Sequence, residues 1–157
     1  LPFYMIKLLY IFQMRGITIM SKRRLAREYA LQTLYFTDTG KLSPDDSALF
    51  ANGFFNNLDK DTFAFCKDLV VGTNNNIKNI DVIISDKAQN WAINRMSSVD
   101  RAILRMATYE IVFSPDNAPV PAIIDEAIEL AKKYSTENSG KFINGLLDQI
   151  KKEKKIS

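Results

Sequence analysis

Four cationic side chains lie close together near the start of the chain: Lys22, Arg23, Arg24 and Arg27. On a helix of about 3.6 residues per turn, the three arginines fall within an arc of about 100°. Cations at a helix N-terminus oppose the helix dipole, by roughly a few tenths of a kcal/mol each when exposed. Bound phosphate would compensate for that placement, so the cluster indicates an anion-binding surface. A solvated basic face without a ligand is the alternative.

A second group with nucleic-acid chemistry lies near the other end, in the segment SGKFING at 139–145. It brings Lys141, Phe142 and Asn144 close together, and Tyr35 adds an aromatic ring to the first basic segment. Proteins bind single-stranded RNA with cations on phosphates, aromatic rings on bases and amides on base edges. The residue types therefore allow an RNA-binding hypothesis.

Enzyme signatures are missing from the 157 residues. The chain has no histidine, which removes the commonest general base and metal ligand, and a single cysteine, Cys66. One cysteine excludes an internal disulfide and favours a reducing compartment, so we expect a cytoplasmic protein. The sequence contains no glycine-rich phosphate loop, nucleophile elbow or zinc-protease motif. We therefore expect neither catalysis nor a metal or cofactor.

The elements that position these residues are predicted to be helices. The stretch 91–113 is apolar around almost its whole circumference, which is typical of a buried central helix surrounded by others. Ser97 and Asp100 provide a capping-box-like start for it. No strand-like alternation of any length occurs, so the predicted fold class is all-α. Further helices are predicted at 21–36, 41–58, 61–88, 121–134 and 139–151.

The predicted helix 61–88 contains a conspicuous breaker, GTNNN at 72–76. Its apolar positions nevertheless keep one i, i+3/i+4 register on both sides of this segment. We therefore predict one long helix, with Gly72 as a weak point costing about 1 kcal/mol.

Residues 1–19 differ from the rest of the chain. Lys7 interrupts their apolar run, Arg15 and Gly16 end it, and the run is too short to span a membrane. The features of a signal peptide are missing. We expect an extra N-terminal segment from an over-extended gene start; an added helix or strand, or a weak membrane anchor, are the alternatives.

Four blocks of sequence, taken in order, resemble the NusB family of bacterial transcription antitermination factors. The resemblance covers residues 22–150. The blocks are RRLAREYALQTLY at 23–35, W-x3-R-x3-VDRAILRMATYE at 91–110, VPAIIDEAIELAKKYS at 120–135 and SGKFINGLLD at 139–148.

This resemblance implies an all-α fold of two packed three-helix bundles, with residues 20–157 forming the RNA-binding domain. It implies binding of the single-stranded boxA element of ribosomal RNA leader transcripts, together with ribosomal protein NusE. RNA polymerase elongation complexes with other Nus factors are the implied wider partners. No catalysis and no membrane partner are implied.

The resemblance also implies roles for particular residues. Lys22 and the three arginines, with Lys141, Phe142 and Asn144, become RNA contacts. Some members have an acid where this chain has Asn138, so a neutral side chain there should favour RNA. Asp100 and Arg101 are the expected partner contacts.

The basic run is short and contains Leu25, so we expect weaker RNA binding by the free protein than by the heterodimer. Two other interpretations stay open. One is a structural helical adaptor, and the other is a relative of the helical domain that precedes some RNA methyltransferase domains.

Overall fold

Helices make up the regular structure of the part of the chain that the structure describes. The computed structural model describes residues 22–40, 58–114 and 118–156, and within these ranges it contains no strand. The predicted all-α class is confirmed. The helices are α1 (Lys22–Asp38), α2 (Lys60–Asn75), α3 (Ile77–Lys87), α4 (Ser98–Thr108), α5 (Val120–Tyr134) and α6 (Glu137–Ile156), with a short 3-10 helix at Ile93–Arg95.

Two predictions fall on residues outside these ranges, the extra segment 1–19 and most of the helix at 41–58. No helix in the described part of the chain is long and apolar enough to cross a membrane.

The central helix predicted within 91–113 is α4, which packs against α1, α3, α5 and α6. The Ser97 hydroxyl accepts a hydrogen bond from the Asp100 amide at 3.1 Å, so the Ser97 half of the predicted cap is confirmed. Ile103 and Leu104 are fully buried. The helix then widens into a π-helical turn, Tyr109–Phe113, before the backbone leaves it at Ser114. The apolar circumference thus correctly indicated a buried central helix.

Four of the other five described helices pack in two pairs, and the fifth, α3, packs against α4 and α6. The α1 helix packs against α2, and α5 packs against α6. Both α1 and α5 also contact α4, so α4 connects the two pairs. This arrangement places the basic start of α1 and the SGKFING segment of α6 on separate elements around one core.

The prediction of a single helix over 61–88 is wrong, because the backbone breaks at Asn76. This residue leaves helical geometry at φ −108° and ψ 11°. Its side-chain amide donates to the Gly72 carbonyl at 2.8 Å, and its backbone N–H donates to the same oxygen at 3.2 Å. These bonds satisfy the end of α2 before α3 begins. The apolar stripe continues across the break, with Cys66, Val70, Ile80 and Ile84 all buried.

Candidate nucleic-acid interface

The four cations of α1 differ in their exposure to solvent. Lys22 and Arg23, in the first turn, are exposed, whereas Arg24 is partly buried and Arg27 is buried. The Lys22 ammonium lies 3.3 Å from the Asp59 carboxylate. The Arg23 guanidinium lies over the Phe65 ring, 4.5 Å from its centroid. The exposed positive charge of α1 is therefore concentrated at its N-terminal turn.

Arg24 joins α1 to α5 through a bidentate ion pair with Glu126. Its Nε and Nη2 atoms donate to the two carboxylate oxygens at 3.0 and 2.8 Å. This hydrogen bonding lowers the pKa of Glu126 below its ordinary value, because it stabilises the carboxylate. The Arg24 side chain remains 43% exposed. Arg24 thus belongs both to the packing of α5 and to the basic surface.

The expectation that Arg27 contacts RNA needs correction. Its Nε and Nη2 atoms donate to Glu110 at 2.9 and 2.8 Å, and the two side chains are only 6% and 1% exposed. A phosphate would have to break this buried pair and leave Glu110 without its cation, which is costly. Arg27 shares the angular sector of the other arginines. It lies one turn deeper along α1, however, where its guanidinium also lies 5.2 Å from the Phe65 ring centroid.

Sequence reasoning missed Glu110, although a signal was present. Glu110 is the single carboxylate in residues 101–113, the later part of the apolar stretch that predicts a buried helix. A buried carboxylate requires a cation or several hydrogen bonds, so it should have predicted an internal partner such as Arg27.

Tyr35 also needs correction as an RNA contact. Its side chain is buried together with Phe36, and Val99 packs against the pair. The two rings meet edge to face, with 6.3 Å between their centroids. Burial against the start of α4 withdraws the ring from any base, because stacking needs an open ring face.

The second predicted group lies on α6 and is accessible. Asn138, Lys141 and Asn144 are exposed, and Phe142 is partly buried. The Phe142 ring packs edge to face against Trp91, with 6.3 Å between centroids and 62° between planes. These two rings and Lys141 line an open groove of about 340 Å³. Although Trp91 was part of a matching block, the sequence did not identify it as a site residue.

Asp100, an expected partner contact, makes hydrogen bonds within the chain. Its carboxylate accepts bonds from the hydroxyls of Ser135 at 2.7 Å and Ser139 at 2.9 Å. These bonds hold the turn between α5 and α6 against the start of α4. Asp100 therefore positions the beginning of the helix that carries the SGKFING segment.

Arg101, the second expected partner contact, also has internal partners. Its Nε donates to the Asp38 carboxylate at 3.0 Å, and its Nη1 donates to the carbonyls of Ile93 and Met96 at 3.1 Å each. The guanidinium thereby connects the end of α1 with the segment preceding α4. Direct partner contact by Asp100 and Arg101 stays a prediction.

The described residues contain no group of histidine, cysteine or acidic side chains able to hold a metal ion. Cys66 is fully buried, and burial raises the pKa of its thiol to about 12. At neutral pH this thiol is protonated and is a poor nucleophile. The side chains that the two candidate surfaces offer to a ligand are thus cations, amides and aromatic rings.

Comparison with known proteins agrees with this arrangement. The model of the NusB family matches residues 24–152. The chain is 60% identical over 136 residues to the transcription antitermination protein NusB of Elusimicrobium minutum, covering 87% of this chain and 97% of that one. It is 43% identical over 138 residues to the NusB protein of Desulforapulum autotrophicum, covering 87% and 96% of the two chains.

Comparison with solved structures also finds similarity to NusB proteins. T. maritima NusB superposes with a TM-score of 0.77 at 38% identity, covering 86% of this chain and 94% of that one. A chain from the crystal structure of antitermination factors NusB and NusE in complex with dsRNA superposes with a TM-score of 0.76 at 30% identity, covering 86% and 99%. The protein described here therefore belongs to the NusB family.

Proposed function

We propose that this chain is a transcription antitermination factor that binds single-stranded boxA-type RNA of ribosomal RNA leader transcripts together with ribosomal protein NusE. The observation that carries the proposal is the 60% identity, over 87% of this chain and 97% of the relative, to a transcription antitermination protein NusB. The factor would act in the cytoplasm, within an RNA polymerase elongation complex that contains other Nus factors. It acts by binding and needs no cofactor.

The proposed RNA surface has two parts. The first is the N-terminal turn of α1, where Lys22 and Arg23 are exposed and Arg24 is partly exposed. Cations in this position attract phosphates and make binding depend on salt. Arg27 is excluded from this surface because it neutralises Glu110 inside the protein.

The second part is the N-terminal half of α6. Lys141 supplies a cation, Phe142 an aromatic ring, and Asn138 and Asn144 supply exposed amides. This set matches the needs of an unpaired strand, whose bases are open to stacking and to hydrogen bonding. A neutral Asn138 also avoids placing a carboxylate beside the phosphates.

The proposed NusE-binding face lies near the beginning of α4. Asp100 and Arg101 make hydrogen bonds to Ser135, Ser139 and Asp38. We propose that they contact NusE and that these hydrogen bonds also fix the backbone around that contact. Substituting either residue should weaken NusE binding in proportion to the loss of local order.

Titration of a labelled boxA RNA at two salt concentrations, with and without NusE, tests the proposal. Arg23→Ala and Lys141→Ala should each weaken RNA binding. Each should also reduce the salt slope, the dependence of the logarithm of the binding constant on the logarithm of the salt concentration, by about the amount that one phosphate contact contributes. Lys78→Ala removes an exposed lysine of α3 and is the matched control. The slope should be steeper for the heterodimer than for the free protein.

Absence of RNA binding by the folded protein, with and without NusE, would contradict the proposal and favour the structural adaptor. Equal salt slopes with and without NusE would refute the expected weak binding by the free protein. Circular dichroism of each variant separates loss of affinity from loss of fold.

A further inference from the structure

Trp91 is the single tryptophan of the chain, and its side chain is 56% exposed. It lies in the turn between α3 and the 3-10 helix. A single exposed apolar side chain needs no explanation. Trp91, however, forms one wall of the groove that also contains Phe142 and Lys141, two residues of the proposed RNA surface.

The geometry of the two rings suits a third flat ring. Trp91 and Phe142 meet edge to face, at 62° between their planes. In this arrangement neither ring stacks face to face on the other, so a broad aromatic face remains for an added planar group. A groove of about 340 Å³ is within the range that small organic ligands occupy.

The charges around the groove favour binding of an anion on the side of Lys141. Lys87 lines the groove, but its ammonium lies 3.3 Å from Asp86 and 3.0 Å from Glu153, which neutralise it. Lys141 is exposed at the same groove beside Phe142. An aromatic wall with an adjacent cation is complementary to a nucleotide, with its base on the rings and its phosphate on the lysine.

We propose that Trp91 and Phe142 form a stacking site for one unpaired base of the bound RNA, with Lys141 contacting the neighbouring phosphate. The inference rests on the proposed function and extends it by assigning Trp91 a direct role. Asn90 and Gln149 line the same groove and supply amide groups for the edge of that base. The RNA thus runs across α6 and onto the turn before the 3-10 helix.

Because Trp91 is the only tryptophan, the tryptophan fluorescence of the protein, excited at a wavelength that its tyrosines do not absorb, reports on this site alone. Titration of the wild-type protein with boxA RNA should quench this fluorescence, with a midpoint that matches the binding curve of labelled RNA. Trp91→Ala should weaken binding by about 5- to 150-fold, the range measured for removing one stacked base contact. Trp91→Phe should retain most of the affinity, since it keeps a ring.

Val82→Ala is the control for loss of exposed apolar surface, because Val82 is 69% exposed on α3 and does not line the groove. It should bind RNA like the wild type. A series of RNAs, each with one abasic nucleotide, locates the stacked base. At one position the abasic RNA should bind wild type and Trp91→Ala equally, because the two changes remove the same contact.

The outcomes separate the two proposals. If the wild-type protein binds no RNA, the proposed function and the stacking site both fail. If it binds RNA, but Trp91→Ala binds equally well or saturating RNA leaves the fluorescence unchanged, the stacking site alone is refuted. A third outcome is that NusE quenches the fluorescence without RNA while Trp91→Ala keeps its RNA affinity. This result would assign the groove to the protein partner and would also refute the stacking site.

Discussion

Arg27 and Glu110 form a buried bidentate ion pair that joins α1 to the π-helical turn following α4. The two hydrogen bonds measure 2.9 and 2.8 Å, and neither side chain is more than 6% exposed. The pair crosses the core between the first described helix and the end of the central one. Its geometry satisfies both charges in a place that water does not reach.

Replacing Glu110 by Gln should destabilise the protein by about 3–5 kcal/mol, because it leaves the Arg27 guanidinium buried without a countercharge. The double variant Arg27→Met with Glu110→Leu should lose less free energy of unfolding than Glu110→Gln, since no uncompensated charge remains. Urea unfolding followed by circular dichroism measures both free energies. A loss below about 1 kcal/mol for Glu110→Gln would show that water reaches the guanidinium in solution.

This pair also shows how far the sequence could predict the site. The helical wheel correctly grouped Arg23 and Arg27 on one sector of α1, but a wheel carries no information about depth along the axis. Arg23 lies in the first turn and is exposed, whereas Arg27 lies a turn later and is covered. Only the packing of α1 on its neighbours, a tertiary property, distinguishes a surface cation from a buried one.

The break at Asn76 illustrates a second limit. Periodicity predicted the buried face of α2 and α3 correctly, because the stripe from Cys66 to Ile84 keeps its phase. A break of one residue does not change this phase enough to be seen in the pattern. The asparagine side chain that bonds to the Gly72 carbonyl was the relevant signal, since asparagine competes for backbone hydrogen bonds.

Gly72 allows the ring of Tyr109 to pack directly against α2. A Cβ atom at this position would lie well inside van der Waals contact with the ring atoms. The ring cannot easily move, because Tyr109 is buried and its hydroxyl donates to Asp68 at 3.0 Å. Gly72→Ala should therefore cost about 1–3 kcal/mol from overpacking, despite the better helix propensity of alanine.

Thermal and urea unfolding of Gly72→Ala should be compared with Gly145→Ala. The second change adds a Cβ to α6 at a position with no neighbour within 4 Å. It should be neutral or stabilising by up to about 1 kcal/mol. In a Tyr109→Leu background the cost of Gly72→Ala should shrink, because the obstructing ring is gone. An unchanged cost there would place the strain elsewhere.

The Arg24–Glu126 pair should make stability depend on pH. The folded-state pKa of Glu126 is lowered by its hydrogen bonds from Arg24, so it lies below the unfolded value. The resulting stability is fully present above the unfolded pKa and is lost as the pH falls through the folded pKa. Glu126→Gln should thus be less stable than wild type at neutral pH, with a difference that disappears in acid.

Urea unfolding at a series of pH values measures this difference. Glu129→Gln is the matched control, because Glu129 lies on the same helix but acts on Arg24 through its charge and pairs with Lys132 in an exposed contact at 3.4 Å. Glu129→Gln should change the free energy of unfolding by less than about 1 kcal/mol at every pH. A difference between wild type and Glu126→Gln that does not change with pH would rule out the charged pair as its source.

Asn138→Asp should weaken RNA binding while slightly stabilising the fold. Asn138 is exposed in the first turn of α6, three residues before Lys141. A carboxylate there repels phosphate, yet it is favourable at a helix N-terminus by about 0.3–1 kcal/mol. The RNA affinity, measured by titration at two salt concentrations, should therefore fall, whereas the free energy of unfolding, measured in urea, should rise. Asn79→Asp, an exposed change on α3, is the control and should leave the RNA affinity unaltered. Equal affinities for wild type, Asn138→Asp and Asn79→Asp would show that Asn138 does not belong to the RNA surface.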